Sequence, residues 1–100
     1  MSSSNIQSVT KTADASAVTG RTRLLGVYFT NTATASSFSL KNGTTGAGTA
    51  LLTVNTPAAA GGQDLMIPDA GMLFDSGIYV DVADAEVTSV TLLFEGGAAA

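Results

Sequence analysis

The chain has 100 residues, the length of one domain. It carries no cysteine and no histidine, which excludes disulfide cross-links, thiolate or imidazole catalysis and the usual zinc ligand sets. Charged residues make up only 12% and the net charge is −4, a balance that disfavours binding to a nucleic-acid backbone.

Residues 1–5 (Met-Ser-Ser-Ser-Asn) are polar and lead into no apolar segment, so neither a secretory signal nor a membrane span is read, and these residues are expected to fray. Residues 6–10 form a candidate first strand. Residues 11–20 are small and polar and read as a linker that joins this strand to the body. Arg21 and Arg23 flank Thr22 at the entry to the most apolar stretch. Alternate residues of a strand share a face, so the two guanidinium groups are expected side by side. They can grip carboxylates of a partner or pair with the acidic second half of the chain. From Arg23 to Thr30 both faces are apolar (Leu24, Leu25, Val27, Tyr28, Phe29), as in a central strand or one covered from two sides.

Ser37-Phe38-Ser39-Leu40-Lys41 alternates with period two and runs into the turn former Asn42-Gly43. Weaker strands are read at residues 50–55, 64–67 and 72–75. Gly46-Ala47-Gly48, Pro57 with Gly61-Gly62, and Pro68-Asp69-Ala70-Gly71 separate them as turns. Leu73-Phe74-Asp75-Ser76-Gly77 resembles the aspartic-protease signature. The segments that such an enzyme needs after it are missing, and a turn explains the same residues. Ile78-Tyr79-Val80-Asp81-Val82 is the cleanest alternation, with Tyr79 and Asp81 facing away from the three aliphatic residues. Asp81, Asp84 and Glu86 offer oxygen ligands but no EF-hand spacing, and read as solvated acids at a turn. Val90-Thr91-Leu92-Leu93-Phe94 is the last strand, and residues 96–100 (Gly-Gly-Ala-Ala-Ala) read as a flexible tail.

These elements predict an all-β fold: a single β-sandwich or jelly-roll-like domain of about seven to eight short antiparallel strands. Its body spans residues 20–95, with an N-terminal arm or linker at 1–19 and a tail at 96–100. All four basic residues (Lys11, Arg21, Arg23, Lys41) lie in the first half, and seven of the eight acids in the second. Folding either gives the molecule two charged sides or interleaves the halves. No catalytic residue, cofactor site or metal site is assigned, and the chain reads as non-enzymatic. A domain this size buries only about 60% of its unfolded surface. Its short polar side chains lose little rotamer entropy when covered. Both points favour association with partners, for which Arg21, Arg23, Lys41 and Tyr79 are the candidate contacts.

The runs Gly20-Arg21-x-Arg23-Leu24-x-Gly26-Val27-Tyr28-Phe29, Phe38-x-Leu40-Lys41-Asn42-Gly43, Ile67-Pro68-x-x-Gly71-x-Leu73-Phe74-x-x-Gly77-Ile78-Tyr79-Val80 and Val87-Thr88-x-Val90-Thr91-Leu92-Leu93-Phe94 together resemble small β-sandwich proteins of tailed-phage virions, among them capsid cement or decoration proteins. The resemblance spans roughly residues 20–95. It implies a virion protein assembled in the host cytoplasm, in contact with the major capsid protein or other virion proteins. It further implies a homo-oligomer (dimer or trimer) with no cofactor, nucleic acid or membrane partner. Loops at residues 43–49 and 57–62, or the terminal arms, would make the contacts. A tail, nozzle or head–tail junction component is the alternative within that class. A carbohydrate- or receptor-binding module is the alternative outside it.

Overall fold

The computed structural model describes residues 6–100. The expected fraying of residues 1–5 lies outside the described residues. The fold is all-β, with eight antiparallel strands: β1 (Gln7–Lys11), β2 (Ala15–Asn31), β3 (Ser36–Asn42), β4 (Thr49–Thr56), β5 (Gly61–Met66), β6 (Met72–Phe74), β7 (Gly77–Val82) and β8 (Val87–Ala99). They join into one hydrogen-bonded sheet in the order β1-β8-β2-β7-β3-β4, with β5 and β6 also paired to β2.

Two strands are long, contrary to the expectation of short ones. Fully extended, the 17 residues of β2 would span about 56 Å at ~3.3 Å per residue. The whole molecule measures 41 Å along its longest axis, so β2 must bend. It does so near Gly20, whose φ is 87°, where the register with β8 shifts between Thr19 and Thr22. β8 turns beside it at Gly96 and Gly97, with φ of 74° and 59°. Before the corner β2 pairs with β7, through Ala15↔Val80 to Thr19↔Gly77. Beyond it β2 pairs with β6 and then β5, through Gly26↔Met66 to Asn31↔Gly61. The short turn 83–86 joins Val82 to Val87, and Asn31 is the register partner of Val87. Both ends of β2 therefore lie at one end of the molecule and the corner at the other.

Two boundaries read from the sequence are thereby corrected. Within the supposed linker 11–20, residues 15–20 are strand, and Ala17 and Val18 are wholly buried. The supposed tail continues β8 to Ala99, and the Ala100 amide donates to the Ala17 carbonyl at 2.9 Å. The small side chains that mimic a linker are those a tight corner admits. A side chain at Gly97 would collide with Thr22 Oγ1 and Val18 Cγ1.

The core draws mainly on four strands: Leu24, Val27 and Phe29 from β2, Phe38 and Leu40 from β3, Ile78 and Val80 from β7, and Val90, Leu92 and Phe94 from β8, with the alternation broken between Leu24 and Val27 where the register with β8 shifts. Phe29 and Phe38 lie on strands that share no hydrogen bonds, yet their rings meet in the core. The outer faces carry hydroxyl pairs across strands: Thr10 with Thr91 at 2.8 Å, Thr30 with Ser89 at 2.6 Å and Ser39 with Thr53 at 3.0 Å. Such pairs let an uncharged surface satisfy its own polar groups.

Candidate docking surfaces

Arg21 is exposed and Arg23 half-buried on β2 just past the corner, with buried Thr22 between them. Both line a shallow depression of about 180 Å³ with Glu95 and Gly96 of β8. Arg23 and Glu95 are register partners, but no carboxylate oxygen among the described residues comes within 4.0 Å of either guanidinium. The depression is thus a paired cationic surface with one acid at its side.

Lys41 and Tyr79 lie elsewhere, opposite one another on β3 and β7. Lys41 Nζ reaches Asp81 at 2.6 Å and donates to the Gly46 carbonyl at 2.9 Å. Tyr79 is half-buried, with its ring edge directly beneath Gly46. Together the two side chains hold the β3–β4 loop down on β7. The structure therefore divides the four expected contact residues into two sets. Arg21 and Arg23 form an open pair, whereas Lys41 is engaged within the chain.

Asp14 and two of the acids that the sequence singles out, Asp84 and Glu86, have local partners. Asp14 Oδ1 accepts from the Val82 amide at 2.8 Å. Asp84 Oδ1 accepts from Ser36 Oγ at 2.8 Å and from the Glu86 amide at 2.9 Å, and Glu86 Oε2 accepts from Thr32 Oγ1. Asp14 and Asp84 share one shallow depression at the end of the molecule away from the corner. Among the described residues no three acidic side chains converge as a metal site would require. Asp75 is exposed and Ser76 follows it in the turn from β6 to β7. The Ser76 amide donates to Asn42 Oδ1 at 2.9 Å, and Gly77 has a φ of 116°.

No local pattern in the chain marks which strands end unpaired. β1, β4, β5 and β6 each pair along one edge only among the described residues. Apart from Ile6, which precedes β1, the exposed large apolar side chains lie on or beside β4 and β5. Leu51 of β4 is 40% exposed, Leu65 and Met66 of β5 are 39% and 62%, and Tyr28, the register partner of Asp64 on β5, is 46%. β4 leads to β5 through residues 57–60, where buried Asn31 donates from Nδ2 to the carbonyls of Pro57 and Ala59 at 3.2 and 2.9 Å. A central strand in the sequence reading, β2 is indeed bonded on both edges, but its outer face leaves Tyr28 open.

Among the described residues no helix is long and apolar enough to cross a membrane. Compared with known families, curated proteins and solved structures, the chain matches no family model, no curated sequence and no solved structure.

Proposed function

We propose that this chain is a non-enzymatic structural protein of a tailed-phage virion, a cement or decoration protein that binds the head lattice and stabilises it. One observation carries the assembly part of this reading. A small folded sheet leaves apolar side chains and unpaired strand edges open on a surface otherwise clad in short, uncharged residues. Unpaired edges offer backbone donors and acceptors to a partner, and exposed apolar side chains add buried area. The phage part rests on the segments of sequence resemblance alone. Repeated by lattice symmetry, many weak contacts of this kind add up to firm attachment.

The test compares particles assembled with and without the protein. Loss of resistance to heat and salt in its absence supports the reading, and equal resistance overturns it. Copy number separates the head from the tail: a number that tracks the capsid lattice places the protein on the shell, and a single ring's worth places it at the tail or the head–tail junction. Glycan binding by the isolated protein, with no attachment to particles, would favour a carbohydrate-recognition module.

A further inference from the structure

Sheets in natural proteins guard their free edges with charge, proline, brevity or a kink, because an open edge templates another strand. Among the described residues four strand edges are free, and three of them are guarded. β1 ends in Lys11, whose Nζ donates to the Ala100 carbonyl at 3.0 Å. β5 starts with Gly61-Gly62 and carries Asp64, and β6 has three residues. β4 has eight residues, Thr-Ala-Leu-Leu-Thr-Val-Asn-Thr, with no charge, proline or internal glycine. Its one irregularity is an extra residue, Leu51, where the register with β3 shifts. From Leu52 to Thr56 the pairing with β3 is regular, through Leu40↔Leu52 to Ser36↔Thr56.

We propose that the free edge of β4 is a homodimer interface, at which residues 52–56 pair antiparallel with the same strand of a second copy. A second copy is the occupant that the charge pattern favours. The molecule carries a net charge of −4, so copies repel wherever their acids meet. Along β4 no acid meets another, and an antiparallel strand pair is self-complementary about a twofold axis. A strongly charged partner would find no opposite charge on this strand. The apolar groups fit the same occupant. Leu52 and Val54 face the core but are only partly buried at the margin of the sheet, and Leu51 is open beside them. A second β4 would cover Leu52 and Val54 and extend the sheet through both molecules. The proposal does not depend on where the assembled chain resides, so it stands or falls apart from the virion reading.

Sedimentation of the full chain over a range of concentrations tests it, with single cysteines to report geometry. The natural chain has no cysteine, so one placed in turn at Leu52, Thr53, Val54 and Asn55 forms a unique disulfide with its own copy. Antiparallel pairing gives cross-linking that peaks at one position and falls away on both sides. Uniform yield along the strand or no cross-link overturns the proposal, as does a natural chain that stays monomeric throughout. The edge is then blocked with Thr53→Lys and Asn55→Lys, both at exposed positions. This variant carries less net charge than the natural chain, so weaker association cannot come from general repulsion. A dissociation constant weakened at least about tenfold, with the circular-dichroism spectrum unchanged, supports the interface. Gln63→Lys on the edge of β5 should leave association intact. If that variant dissociates the dimer and the β4 variant does not, the interface lies on β5 and the proposal fails.

Discussion

The ring of Phe29 meets Phe38 edge-on, with centroids 5.3 Å apart and ring planes inclined by 60°. The two residues belong to β2 and β3, which are not hydrogen-bonded to each other, and both are at most 3% exposed. Their contact therefore joins parts of the sheet that the strand ladder leaves apart.

Removing either ring should be costly. Phe38→Ala is expected to lower unfolding free energy by about 3–5 kcal/mol, a large share of the ~5–15 kcal/mol typical of a domain. The milder Phe29→Leu and Phe38→Leu pair keeps the chain folded for a double-mutant cycle in urea. That cycle should return a coupling of about 0.5–1.5 kcal/mol for the edge-to-face contact. Additive losses would mean that the rings contribute by burial alone.

The corner where β2 and β8 fold over supplies a second test. Gly97 has a φ of 59°, and a methyl group there would strike Thr22 Oγ1 and Val18 Cγ1 and lie 2.9 Å from the Thr19 carbonyl. Gly97→Ala should destabilise the protein by about 1–3 kcal/mol from backbone strain and crowding. Gly46→Ala is the control. Its new methyl would rest 3.5 Å from the Tyr79 ring, an ordinary contact, so stability should stay within about 0.5 kcal/mol of the natural chain. Thermal unfolding of the two variants side by side checks both expectations.

Where polar and apolar residues alternate, the fold was legible in the chain. Ile78 and Val80 are buried while Tyr79 and Asp81 are partly open, and Phe38 and Leu40 are buried around Ser39, as period two requires. The corner was not legible. Residues 15–20 and 96–100 are mostly small, and small residues look the same in a linker as in a strand that must bend against a neighbour. Gly61-Gly62 likewise reads as a turn, yet both residues belong to β5, where Gly62 gives room to the Tyr28 hydroxyl of the paired strand. At the candidate surfaces, the adjacency of Arg21 and Arg23 follows from local spacing. The pairing of Lys41 with Asp81 and the opening of the β4 edge depend on which strands become neighbours. No local pattern encodes that order.

Lys41 tests how its loop is held. Lys41→Ala removes both the contact with Asp81 and the bond to the Gly46 carbonyl. Both side chains remain partly exposed to water, so global stability should fall by no more than about 1 kcal/mol. The local effect should be larger. Amide exchange in residues 43–48 is expected to speed up while that of β7 is unchanged, because the loop then opens without global unfolding. Equal acceleration in both segments would assign Lys41 to the stability of the whole sheet.

Asn31 occupies the opposite situation, a polar side chain only 6% exposed at the end of β2. Its Nδ2 donates to the carbonyls of Thr32, Pro57 and Ala59 at 2.8, 3.2 and 2.9 Å, while its Oδ1 has no hydrogen-bond partner. Three acceptors converging on one group require a donor, so the amide orientation follows from the network. Asn31→Asp keeps the size of the side chain and replaces that donor with an acceptor facing three carbonyls. The expected cost is about 3 kcal/mol or more, from lost hydrogen bonds and a buried carboxylate without a partner. Asn31→Leu also leaves the carbonyls unpaired but introduces no charge, so its cost should be nearer 1–3 kcal/mol. In both variants the connection 57–60 loses its anchor, and limited proteolysis should cut there first. If Asp and Leu prove equally tolerated, water reaches these carbonyls and the side chain is not what fixes the passage from β4 to β5.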